Sequence, residues 1–282
     1  MPLVLPKHRP SWNRGFARNA AESDNPGLWR GLRGLWVPAL GPTGLTLRDV
    51  SGYGHGTLTN MTAAAWVTGA PTGGYALAFT AASSQCVLTS VLRVSAYPFT
   101  IMGWAHRPTS GDLYGTIAGI GSTTNESRNY AVALYNGNCA IRLRGPDGSV
   151  TFEGGAMAVG EWSHVACVCH SATLRELFLN GVSQGTNATN VSYDAANCDR
   201  FGIGAYVDAS ISTYWNGRIG DVGLYSRAIT PSEIQHLYEQ PLAPLEPRRR
   251  VYPAAVGGAP PATNAPTGHF YGSLVGSLGG PI

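Results

Sequence analysis

Charge is scarce in this sequence. Asp, Glu, Lys and Arg make up 12% of the 282 residues, roughly half the usual share, and a formal net charge of +3 is too small to attract nucleic acid by its field alone. No apolar run approaches the roughly 18 residues of a membrane span. The opening MPLVLPKHRPSWNRGF breaks its apolar start at Pro6 and carries no small-residue cleavage site, so the expectation is synthesis in a cytoplasm without Sec export. Five cysteines (Cys86, Cys139, Cys167, Cys169 and Cys198) are an odd number without CxxC spacing. They signal neither a disulfide framework nor a zinc site, and Cys167 and Cys169, on one face of a strand, read as reduced core residues. The motifs G-x-S-x-G and H-E-x-x-H are missing, and no E-x-D-x-E run sets two carboxylates on one strand face, as glycoside hydrolysis on a β-sheet needs. Enzymatic activity is therefore not expected.

What the chain has is apolar material (44%) cut short by 37 Gly and 19 Pro. Eleven apolar or alternating runs follow one another between turn clusters: 75–79, 85–88, 98–107, 114–120, 130–135, 139–144, 149–153, 161–170, 175–180, 200–206 and 214–227. Many short strands of this kind mark an all-β sandwich or barrel. Asn136-Gly137, Asp147-Gly148 and Asn180-Gly181 read as tight hairpin turns, because type I′ turns need positive φ at both centres. In EWSHVACVCH (161–170) one face offers Val165, Cys167 and Cys169 and the other Trp162, His164, Ala166, Val168 and His170, so this reads as a central strand covered on at least part of each side. In IGDVGLY (219–225) Val222 and Leu224 face one way, with Ile219, Asp221, Gly223 and Tyr225 opposite. A short helix then opens with Thr230 as N-cap, Pro231 at the first position and Glu233 completing a capping box, and Gln240-Pro241 ends it. Its apolar face makes it a latch on the sandwich.

These segments resemble a known family. IGDVGLYSRAITPSEIQHLYEQP, GEWSHVACVCHSATLRELFLNGV, PFTIMGWAHR and LRDVSGYGHGTL are similar, in order and spacing, to the laminin G-like type of the concanavalin A-like lectin/glucanase superfamily. The resemblance implies a two-sheet antiparallel jelly roll over residues 34–240, with a basic N-terminal arm at 1–33 and a Pro/Gly-rich C-terminal arm at 241–282. Related folds hold calcium near the domain ends, which makes Asp49 and Asp221 candidates. The competing reading has Asp49 capping a turn and Asp221 paired with a backbone N–H or an arginine. A lectin-like glycan site is read in the loop AYVDASISTYWNG, at Tyr206, Asp208, Tyr214, Trp215 and Asn216.

The ends carry the remaining expectation. Residues 1–33 hold six basic and two acidic side chains, and 241–282 hold eight Pro and seven Gly. Trp12, Arg14, Phe16, Trp29, Arg248, Arg249, Arg250, Phe270 and Tyr271 read as anchors for self-association and for neighbouring subunits. A jelly roll followed by a segment such as LYEQPLAPLEPRRRVY resembles virion proteins of tailed phages. The implied function is a structural virion component, foremost capsid decoration on the major capsid protein, with a tail component next and a glycan-binding adhesion module as the alternative. No membrane or direct nucleic-acid contact is expected.

Overall fold

The computed structural model describes residues 15–90 and 94–248. Sixteen strands occur among them in chain order: β1 Leu32–Trp36, β2 Thr46–Leu47, β3 Gly56–Thr59, β4 Trp66–Thr68, β5 Tyr75–Phe79, β6 Cys86–Thr89, β7 Phe99–His106, β8 Gly115–Gly121, β9 Asn129–Tyr135, β10 Asn138–Arg144, β11 Ser149–Ala156, β12 Trp162–Ser171, β13 Leu174–Leu179, β14 Val182–Asn187, β15 Arg200–Ile203 and β16 Gly217–Tyr225. They build two antiparallel sheets of eight strands. The first runs β14-β13-β12-β7-β16-β5-β4, with β1 also paired to β16, and the second runs β11-β10-β9-β8-β15-β6-β3-β2. This is the expected jelly-roll sandwich, and all eleven sequence runs appear in it as strands.

Alternation along each strand fills the space between the sheets. Phe99, Ile101 and Ala105 of β7, Val165, Cys167 and Cys169 of β12, and Val132, Leu134 and Ile141 of the second sheet meet in one core. Ile219 joins that core beside Val222 and Leu224, not the opposite face as the simple alternation requires, because a bulge between Ile219 and Val222 shifts the period.

A second apolar layer covers the outer face of the first sheet. Met102, Ala166, Val168 and Tyr225 point outward there, under Ile229, Ile234, Leu237, Leu242 and Leu245. The latch is α1, Pro231–Glu239, with both halves of the capping box made and Ile229 and Ile234 buried beneath it. Its Tyr238 stacks on Trp104 at 5.6 Å. Thr230→Ala removes the cap and is expected to lower stability by about 1 kcal/mol, read as the shift in urea midpoint at constant slope.

The expected boundaries at 33/34 and 240/241 do not coincide with where packing ends. Leu28, Leu32 and Leu35 contribute to the same layer as Leu242 and Leu245. The two segments also pair through their backbones, with Ala17 N–H donating to Leu245 O at 2.9 Å, Asp24 N–H to Glu246 O at 2.8 Å and Arg248 N–H to Glu22 O at 2.7 Å. Of the expected arm anchors, Phe16 and Trp29 are half-buried against this layer, and the Trp29 indole donates to Pro244 O at 2.6 Å. Arg248 is exposed, with its Nε donating to Ser23 O at 3.1 Å. These side chains serve a clasp within one chain. Trp12, Arg14, Arg249, Arg250, Phe270 and Tyr271 lie outside the described residues.

Asn136-Gly137 and Asn180-Gly181 turn with positive φ at both centres, as read from sequence. Asp147-Gly148 does not. The β10–β11 connection is four residues long, and its closure by Gly145 N–H to Gly148 O at 2.9 Å puts Pro146 and Asp147 at the centre, where proline's fixed negative φ rules out a type I′ turn. The Asp147 carboxylate instead accepts from Ser192 N at 2.7 Å and Asn190 Nδ2 at 2.6 Å, which ties the turn to the 190–192 segment.

Candidate functional site

The outer face of the second sheet is built differently from that of the first. Register places Leu88, Gly202, Gly119, Ala131, Arg142 and Thr151 in one row across β6, β15, β8, β9, β10 and β11. Their chain neighbours Phe201, Ile203, Val132 and Ile141 point into the core, so this row points out. Its centre has almost no side chain, and the 204–216 loop lies on that strip. An ideal Cβ on Gly121 would sit 1.4 Å from the Val207 carbonyl oxygen, and one on Gly202 would sit 2.3 Å from a Val207 methyl. Asn129 Nδ2 donates to Val207 O at 2.9 Å, and Tyr206 and Ser212 exchange backbone hydrogen bonds of 2.8 and 3.0 Å.

Beside the loop stands an aromatic platform. The Arg142 guanidinium lies 4.9 Å from the Tyr206 ring centroid and 5.7 Å from that of Tyr135. Tyr135 meets Tyr114 edge-on at 5.1 Å, and Tyr114, 51% exposed, donates its hydroxyl to Asn136 Oδ1 at 2.6 Å. Glu153 closes the far side, accepting from Asn138 Nδ2 at 2.9 Å and Asn136 Nδ2 at 3.3 Å. The result is half-open ring surface from Tyr114 and Tyr135, with Tyr206 buried beneath Arg142, bordered by amides, one carboxylate and one cation.

Of the five loop residues expected to hold a glycan, the structure brings one to this platform. Tyr206 presents its ring to Arg142. Trp215 is only 1% exposed and packs on Gly115 within the core, so it offers no surface to a ligand. Tyr214 donates to Ile211 O at 3.0 Å, and Asn216 Nδ2 donates to Asp112 Oδ1 at 2.8 Å, both fastening the loop. Asp208 is buried and accepts from Ser210 N at 3.0 Å; burial raises its pKa above the usual carboxylate value. Glu126 accepts from the Ser210 hydroxyl at 3.0 Å, so the two acids converge on one serine and do not face each other across a cleft. Arg142, Tyr135, Tyr114, Asn138 and Glu153 were not anticipated. For Tyr135, Asn138 and Arg142 the signal was the alternation in NYAVALYNGNCAIRLR, where Ala131, Ala133 and Tyr135 share a face with Asn138, Ala140 and Arg142.

The calcium candidates part company. Asp49 Oδ1 accepts from Leu35 N, Ser51 N and Ser51 Oγ at 2.8, 2.9 and 2.6 Å, and Oδ2 accepts from Tyr53 N and Gly54 N, both at 2.9 Å. A carboxylate ringed by N–H and O–H donors serves as a turn cap and has no lone pair left for a cation. Asp221 is buried on the outer face of the first sheet; the Ala39 backbone N–H lies close enough to favour its charged form, in line with the backbone pairing expected for it, but neither carboxylate oxygen reaches full hydrogen-bond geometry. It lines a cavity of about 10 Å³ with Leu35, Met102, Trp104, His164, Leu237 and Pro241. Calcium takes roughly six to eight oxygen ligands, and among the described residues no cluster of three metal-binding side chains exists. Neither aspartate fits that ion. Burial pushes Asp221 up to about 7, the Ala39 amide only partly offsetting it, and pushes the neighbouring His164 down to about 4. All five cysteines are free and buried.

Comparison with known proteins adds the lineage. Residues 80–235 match the family described as the concanavalin A-like lectin/glucanases superfamily. A search of curated proteins returned no match. Among solved structures, domain 4 of AbnA, a GH43 extracellular arabinanase from Geobacillus stearothermophilus in complex with arabinotriose, is 16% identical with a TM-score of 0.55, covering 73% of this chain and 98% of that one. The botulinum neurotoxin serotype D binding domain is 13% identical with a TM-score of 0.54, covering 74% of this chain and 51% of its own. A structure of botulinum neurotoxin type C is 12% identical with a TM-score of 0.55, covering 74% and 50% respectively. The chain thus spans about half the length of the two toxin structures, and all three likenesses are of fold.

Proposed function

We propose that this chain, which belongs to the concanavalin A-like lectin/glucanases superfamily, is a non-catalytic glycan-binding domain and that the Tyr206–Arg142–Tyr135–Tyr114 platform is its sugar site. The observation that carries the reading is the platform itself. Sugars offer apolar C–H faces and a rim of hydroxyls, and this surface offers the half-open rings of Tyr114 and Tyr135, bordered by the amides of Asn136 and Asn138 and by Glu153, with the buried Tyr206 ring supporting Arg142 from beneath. Two carboxylates facing each other about 5 to 10 Å apart, as hydrolysis requires, are not presented there. The arabinanase domain that shares the fold is in complex with arabinotriose, and cell entry of the type C toxin is described as dependent upon interaction with two ganglioside molecules, which supports a sandwich of this kind bearing a sugar site.

Tyr114→Ala tests the platform with little risk to folding, since that ring is half exposed. A glycan array followed by titration should show binding weakened about tenfold, the usual scale for one lost aromatic contact, at unchanged melting temperature. An array without any ligand overturns the reading. Assignment of the domain to a tailed-phage virion belongs to the same proposal, and it now leans on residues 249–282, since Phe16 and Trp29 are engaged within the domain. Its test is stoichiometric co-purification with intact particles.

A further inference from the structure

We propose that the platform selects glycans that carry a carboxylate, as uronic and sialic acids do, and that Arg142 is the group that reads it. This rests on the glycan-binding reading above and goes one step further, to ligand class.

The cation itself is the argument. Arg128 is paired with Asp194, Arg227 with Glu233, and Arg107 and Arg175 spend their guanidinium groups on backbone and amide oxygens. Arg142, half-buried in the middle of β10, makes no hydrogen bond or ion pair among the described residues; Arg200 of β15 shares that, but of the two only Arg142 lies against aromatic rings. Its nearest cross-strand acid is Glu153, opposite Ala140 on β11, and both carboxylate oxygens of Glu153 are occupied by Asn136 and Asn138. What Arg142 does have is two ring faces, Tyr206 and Tyr135, that hold the guanidinium over the platform.

Rings contact the face of a guanidinium and leave its N–H donors at the edge. Partly desolvated and unpaired, those donors lack a partner that a planar carboxylate supplies in bidentate form. Arg144, on the same strand face and exposed, adds to the positive potential, while Asp208, the buried acid on the adjoining loop, accepts from Ser210. A sugar seated with its apolar side on Tyr135 and Tyr114 would bring a ring carboxylate to the Arg142 edge, with Asn138 beside it for hydroxyls.

The test uses the full chain and matched probes: uronate oligosaccharides and sialyl-oligosaccharides, their methyl esters, their neutral parents and a sulfated counterpart. Esterification removes the charge and keeps the sugar. Free acids should bind roughly tenfold to a hundredfold more tightly than their esters, the scale of a charge-assisted bidentate contact, and Arg142→Gln should bring that acid-to-ester ratio down to about one. Esters binding as tightly as acids would overturn the proposal and leave the glycan-binding reading standing. Preference for the sulfated probe over the carboxylates also overturns it. Binding of no probe at all overturns both. The ester comparison is made on the unaltered protein, so the test survives if the variant misfolds.

Discussion

Asp221→Asn is expected to make the protein more stable at pH 7 to 8 and to expose a loss of stability toward acid that the unaltered protein does not show. The unfolded chain releases the Asp221 proton near 3.8, and burial pushes the folded group up to about 7. Its contribution is therefore fully present below about 4, is lost as pH rises toward 7, and leaves a penalty of about 4 kcal/mol above that. His164 runs the other way. Its value falls from 6.5 to about 4 in the fold, again through burial, so its contribution is complete above about 6.5 and is lost as pH falls toward 4. Between these limits the folded state holds a neutral acid and a neutral imidazole, and the unfolded chain holds both charged. Folding in that window hands one proton from histidine to aspartate, the two slopes cancel, and stability should be nearly flat. The other side chains lining the cavity, Leu35, Met102, Trp104, Val222 and Leu237, bear no charge that would alter the balance.

Asparagine deletes one half of this exchange. Its amide still lacks a partner, so the gain at neutral pH should be about 2 kcal/mol and not the whole penalty. The profile should then fall from pH 6.5 to 4 on the histidine slope alone. Urea titrations across pH 4 to 8 read both effects; a variant whose profile runs parallel to the unaltered one, with no gain at pH 8, would show that Asp221 is not held as a neutral acid.

The closing latch was legible because its signals are local. Thr230, Pro231 and Glu233 define the helix start within four residues, and the capping box forms as they require. Strands from Tyr75 onward were legible by alternation, whereas β2, β3 and β4 are two to four residues long, and β14, VSQGTN, has no apolar pattern to read. The N-terminal segment misled for a physical reason: its leucines at 28, 32 and 35 find their partners some two hundred residues later, at Leu242 and Leu245, and no short-range pattern announces a clasp. The site shared that difficulty. Tyr206 stood out beside a Gly/Asp/Ser loop, but Arg142 acquires its meaning only from the ring that the loop lays beneath it, and Trp215 looked like a surface aromatic until Gly115 made room for it in the core.

That dependence of the site on close approach makes Gly121→Ala the most damaging small change to function. Gly121 lies at the end of β8, where the Val207 carbonyl occupies the space of an alanine methyl at 1.4 Å. A side chain could rotate away, as the Val207 methyl near Gly202 can in part; a carbonyl moves only with its backbone. The 204–216 loop must therefore lift, stretching the Asn129 Nδ2 bond to Val207 O and withdrawing the Tyr206 ring from Arg142. Overpacking of this kind costs about 2 to 3 kcal/mol, which should appear as a lower urea midpoint. Glycan affinity should fall beyond the loss for Tyr114→Ala, because the loop side of the platform is displaced as a unit. Gly111→Ala serves as the control, since its added methyl meets nothing nearer than Thr109 Oγ1 at 3.8 Å and should leave both measurements unchanged. Should Gly121→Ala match that control in midpoint and affinity, the loop does not rest on the sheet, and the platform built on that contact would have to be abandoned.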